Sequence, residues 1–131
     1  MSNPTFDPTS INFTRGKYIL DENDEPIECH DLLTWGQWLE DIKNSGKRIV
    51  QKTYFGAEGQ EPFVSTVFLG MDHGFAAYQH EVPADYKPIL WETLVFGGKM
   101  DGYMDRYTSK LKAILGHKRI CKKMKAIYTD R

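Results

Sequence analysis

Apolar residues recur along the chain with two periods, and the change from one to the other marks out its elements. KYIL (17–20) begins a short strand. The Asp24-Glu25-Pro26 region is a turn, and PIEC returns as its hairpin partner. In DLLTWGQWLEDIKNSG the spacing becomes helical. Leu32, Trp35, Leu39 and Ile42 share a face with Trp38 beside them, Asp31 is placed to cap the start, and Gly46 lies past the end. Three segments rich in β-branched and aromatic residues follow, KRIVQKTYF (47–55), FVSTVFLGM (63–71) and ILWETLVFG (89–97), and predict an antiparallel meander. The second and third are apolar on both faces over several residues. Strands of that kind need cover on both sides, and the two helices are the available cover. The last element, residues 108–128, gathers Ala113, Ile114, His117, Ile120, Cys121, Met124, Ile127 and Tyr128 on one side of a helix. Lys112, Lys118, Arg119, Lys122, Lys123 and Lys125 gather on the other. The pattern predicts an α+β fold, an antiparallel sheet of about four to five strands packed against two helices. Residues 1–14, rich in Ser, Thr, Asn and Pro, are expected to be a flexible arm before a single domain over 15–131.

Composition fits this picture. With 131 residues, 40% hydrophobic and 27% charged, the chain can bury one core. Its apolar runs are too short to span a bilayer, and MSNPTFDPTS has no secretory pattern, so no membrane partner and a cytoplasmic location are expected. Cys29 and Cys121 form no CxxC pair, so reduced thiols are expected, with no disulfide, metal or cofactor. The net charge of −1 hides an uneven distribution. Residues 108–131 carry eight Lys and Arg against Asp130 alone, whereas 20–31 carries six acids and no base.

Polar residues that interrupt apolar strands are the first candidates for chemistry, since an unpaired buried charge is costly. Asp72 and His73 close VSTVFLGMDH, and Glu92 lies inside ILWETLVFG. In a hairpin whose facing positions sum to about 160, Glu92 lies opposite Phe68 or Gly70; an even sum puts Asp72 on its face and an odd sum puts His73 there. Such a meeting would make a general acid/base couple or part of a metal site. Against it stands a plainer reading, in which the carboxylates pair locally and cap loops. A second cluster, FGGKMDGYMDRY (96–107), reads as a glycine-rich segment with Asp101, Asp105, Arg106 and Tyr107 as ligand candidates. It lacks the spacing of a phosphate loop or a calcium loop. The long connection 74–87 adds Tyr78 and His80. Cys29 and His30 are adjacent on an extended chain and point to opposite faces. His117 and Cys121, one helical turn apart in the apolar stripe, read as a satisfied core histidine beside a core thiol. The basic face of the last helix suits a protein partner or, as a second class, nucleic acid.

The strings KYILDENDEPIECHDLLTWGQWLE, VSTVFLGMDH, WETLVFGG, DRY and Gly116-His117 together resemble a family of small bacteriophage and prophage proteins, over most of residues 16–120. Asp72-His73, Glu92, Gly97-Gly98, Asp105-Arg106-Tyr107 and Gly116-His117 match the family's pattern. The resemblance implies a phage-encoded protein in the host bacterial cytoplasm and carries no catalytic assignment. The 74–87 loop is longer here, and the last helix is richer in lysine. The expected function is that of an accessory protein that binds a bacterial or phage protein, in counter-defence or host takeover, and is not an enzyme. The alternative is a small hydrolase or ligand-binding protein using Asp72, His73 and Glu92.

Overall fold

A computed structural model describes residues 11–74 and 83–129 and shows an α+β fold in two compact units. The first unit comprises residues 1–48 and 70–90, the second 49–69 and 91–131.

In the first unit, β1 (Tyr18–Leu20) and β2 (Pro26–Glu28) form an antiparallel ribbon with Ile19 opposite Ile27. The acidic turn between them is made by Asp21, whose Oδ1 accepts the N–H groups of Asn23 and Glu25 at 2.8 and 2.9 Å. Asp24 takes a left-handed φ of 60°, which a short polar residue tolerates. Residues 12–14 of the expected arm are tied down, because Thr14 N–H donates to the His30 carbonyl and Leu32 N–H to that of Asn12. Helix α1 (Leu32–Asn44) begins where expected. Asp31 accepts from Leu33 N–H and from the Thr34 hydroxyl, which satisfies donors that the helix itself cannot. Trp35, Trp38, Leu39 and Ile42 are half-buried as the stripe requires, but Leu32, in the first turn, is exposed. Within this unit α1 packs against β1, and Trp35 Nε1 donates to the Gly70 carbonyl at 2.8 Å. Gly70 allows that approach through its φ of 77°. A Cβ there would also lie 2.9 Å from Leu39 Cδ1.

In the second unit, β3 (Ile49–Tyr54), β4 (Phe63–Phe68), β5 (Trp91–Phe96) and β6 (Met104–Tyr107) form an antiparallel sheet in that order. Strand β6 lies in the segment expected to be a glycine-rich loop. Gly97, Gly98 and Gly102 take positive φ in the hairpin connection, and MDRY then pairs with β5. Helix α2 (Lys110–Thr129) covers one face of the sheet, and Val64, Val95, Ile120 and Met124 form the core between them. Each such buried side chain contributes about 1.5–3 kcal/mol. Period-two alternation places Val64, Thr66 and Phe68 with Trp91, Thr93 and Val95 on the covered face, all buried. The other face is half-buried without a helix of this unit. Phe63 stacks on Phe96 at 4.7 Å between centroids, and Lys52 Nζ lies 4.4 Å from the centre of the Phe63 ring, so part of the cover comes from its own side chains. The expectation of the two helices covering both faces is met on one face of this sheet, by α2, while α1 packs on the ribbon.

Candidate functional site

Asp72 is fully buried, and its carboxylate is used up by the base of its loop. Oδ1 accepts the N–H groups of Gly74 and Ile89, each at 2.8 Å, and Oδ2 accepts the Tyr86 hydroxyl at 2.5 Å. Burial and, after it, the hydrogen bond to Asp72 push the Tyr86 phenol well above its ordinary range. His73 donates from Nδ1 to the Met71 carbonyl at 3.0 Å. Glu92 belongs to the other unit and accepts from Arg106 Nε at 3.1 Å across the β5–β6 pair. The register is the odd alternative, the one expected to put His73 on the Glu92 face. Glu92 lies opposite Val67, and strand alternation stops at the positive-φ Gly70, so strand parity no longer orients residues 72 and 73. Asp72, His73 and Glu92 therefore each hold a local partner.

The members of the second cluster are also engaged. Asp101 Oδ1 accepts Gly97 N–H at 2.7 Å and closes the hairpin. Asp105 pairs with Arg119 at 3.1 Å, Arg106 with Glu92, and the Tyr107 hydroxyl donates to Thr93. Asp105, Arg106 and Tyr107 are brought together, with Lys112, Leu115 and Arg119, around a shallow cleft of about 290 Å³. Tyr78 and His80 lie outside the described residues. Among the described residues no group of three or more His, Cys, Asp or Glu could hold a metal ion. Cys29 is buried, donates its thiol to the Asp31 carbonyl and is pushed up by burial, while His30 faces Glu28 and stacks on Phe13.

Beneath α2 lies a network that the sequence showed only as a lone histidine. His117 is fully buried, with Thr66 Oγ1 2.7 Å from Nδ1 and Thr53 Oγ1 2.9 Å from Nε2. Thr66 Oγ1 in turn lies 2.5 Å from Thr93 Oγ1, which accepts the Tyr107 hydroxyl at 3.0 Å. One direction satisfies every group: Tyr107 donates to Thr93, Thr93 to Thr66, Thr66 to Nδ1, and Nε2–H to Thr53. Burial lowers the His117 pKa, in keeping with this neutral tautomer. Gly116 leaves room for the Tyr107 ring, which an added Cβ would strike. The legible signal was the threonine at the centre of each inward-facing apolar triplet, Val64-Thr66-Phe68 and Trp91-Thr93-Val95.

The outer face of α2 is different. Lys112, Lys118, Arg119, Lys122, Lys123 and Lys125 are all exposed. Arg119 is paired with Asp105, Lys123 lies 5.7 Å from the Tyr103 ring centroid, and Lys112 reaches Thr108. Lys118 and Lys122 have no ion-pair partner among the described residues. Together with Lys125 they border a groove of about 360 Å³ with Thr53, Phe55 and Cys121 in its wall. Burial raises the Cys121 pKa, which keeps its thiol protonated and unreactive. The charge divides as the units do. The first carries six Lys and Arg against twelve Asp and Glu, the second eleven against six, for formal charges of −6 and +5. Compared with protein families, curated proteins and solved structures, the chain has no match.

Proposed function

We propose that the protein is a non-enzymatic binding protein whose partner is an acidic protein met through the basic face of α2. The observation that carries this reading is the groove beside α2, where an apolar wall is bordered by Lys118, Lys122 and Lys125. Protein interfaces combine such an apolar centre with a polar or charged rim, and charge complementarity steers a partner to it. The residues proposed for catalysis are occupied in holding loops and strands together, which argues for binding over hydrolysis. A protein is favoured over nucleic acid because Phe55 stacks against Tyr128, at 6.4 Å between centroids, and offers no open ring for a base. The resemblance to phage proteins supports a host or phage partner in the bacterial cytoplasm and a part in counter-defence or host takeover.

The test is capture from bacterial lysate with wild type and with the double variant Lys118→Glu/Lys122→Glu, followed by crosslinking and mass spectrometry. The reading expects a partner that crosslinks to α2, elutes with moderate salt and is lost with the double variant. A partner retained equally by both proteins contradicts it. Capture of nucleic acid alone, removed by nuclease, moves the function to the other class.

A further inference from the structure

We propose that the groove between β3 and α2 takes an extended acidic peptide segment of the partner as an added strand on β3. The inference rests on the protein-binding reading above and specifies its mode. Among the described residues, strand β3 is an edge of its sheet and is hydrogen-bonded to β4 alone. Phe55 N–H donates to the Pro62 carbonyl, and antiparallel alternation therefore turns the peptide groups of Gln51 and Thr53 toward β4. Those of Lys52 and Tyr54 turn to the open edge. Both residues are exposed, Tyr54 at 43%. An unpaired edge is a ready template for another strand, and natural proteins usually blunt one with a bulge, a charge or cover. Here a register shift lies between Ile49 and Gln51, which leaves Gln51 to Tyr54 regular.

Side-chain alternation then decides the chemistry of the segment. Thr53 faces α2, so a residue of the added strand opposite it faces α2 as well and enters the groove beside Phe55 and Cys121. The groove volume, about 360 Å³, lies within the range of ligand sites. An apolar side chain fits its wall. Residues two positions away on the same face reach the Lys118–Lys122–Lys125 rim, where carboxylates complement the charge. The recognised pattern is an acidic residue, any residue, an apolar residue, any residue and an acidic residue, in extended conformation.

The probe is a dye-labelled octapeptide with isoleucine at its fourth position, glutamate at its second and sixth, and threonine at its third and fifth. It is compared with a version N-methylated at alternate residues, which cannot donate to an edge strand. Anisotropy titration and amide hydrogen exchange of the full-length protein are measured together. Expected are binding of the parent peptide, exchange at the Lys52 and Tyr54 amides slowed by about tenfold, and affinity about tenfold weaker for the N-methylated peptide and for Lys118→Glu/Lys122→Glu. Parent and N-methylated peptides binding alike, with Lys52 and Tyr54 exchange unchanged, overturns strand addition but leaves the binding reading intact. No peptide binding, beside a captured partner that crosslinks to α2, has the same meaning. No peptide binding and no captured partner defeats both.

Discussion

The two units spend their polar residues in opposite ways. In the first, Asp72, Asp21 and Asp31 direct carboxylate oxygens at backbone N–H groups and shape a loop, a turn and a helix start. In the second, Thr53, Thr66, Thr93, Tyr107 and His117 satisfy one another inside the core. The cores differ too. Among the described residues the first unit buries the apolar side chains Ile19, Cys29 and Leu90, and no residue of α1 is fully buried. The second buries eight, including Phe68, Trp91 and Ile120. Carboxylates committed to the backbone have little freedom for chemistry. A core that contains its own polar groups leaves the lysines outside it, on the face where we propose that a partner binds.

The largest effect should come from His117→Ala, which opens a cavity and takes one hydrogen-bond partner from each of the Thr53 and Thr66 hydroxyls. Urea unfolding should show a loss of about 3–4 kcal/mol, with Thr66→Val at about 2. A loss under about 0.5 kcal/mol for both would mean that the network is not a structural element of the second unit. Next comes Asp72→Ala, which orphans Gly74 N–H and Ile89 N–H and leaves the Tyr86 hydroxyl only its weaker acceptor, the Gly74 carbonyl, at a cost of about 2–3 kcal/mol. Its signature should be faster amide exchange at Gly74 and Ile89 with β4 and β5 unchanged; uniform acceleration would erase the distinction between the units.

Protonation gives a subtler effect. Because the folded state lowers the His117 pKa below its ordinary 6.5, the unfolded chain binds the proton more readily. Its contribution to stability is therefore present above pH 6.5 and is lost as pH falls below that value toward the folded pKa. Unfolding free energies of wild type and His117→Gln should diverge in slope below pH 6.5, and parallel curves would contradict a buried neutral histidine. The smallest effect is that of Glu92→Gln. Its partly exposed pair with Arg106 should contribute at most about 1 kcal/mol, and a much larger loss would show that Glu92 has a further role.

Long periodic elements were legible in the sequence. Helix α1 with its Asp31 cap, the stripe of α2 and strands β3 to β5 all stand where hydrophobic spacing puts them, because burial of a continuous face decides them locally. Strand β6 was hidden, since MDRY has only four residues beside three glycines and gains its place by pairing with β5. The register of Glu92 was illegible for a related reason, as it depends on the length and conformation of a connection that sequence period does not specify. The environment of His117 could be read only halfway. Its position in an apolar stripe showed that partners were needed, but the two threonines that supply them come from two strands far away in sequence. The open edge of β3 depends wholly on strand order and has no local signature.

The central claim is that binding belongs to the basic groove of the second unit and that the buried carboxylate of the first is structural. Titration of the acidic octapeptide against wild type, Lys118→Glu/Lys122→Glu and Asp72→Asn, at one salt concentration, tests it most directly. The lysine variant should bind about tenfold more weakly, and Asp72→Asn should stay within about twofold of wild type. Full binding by the lysine variant, or its loss on Asp72→Asn in a folded protein, would contradict it.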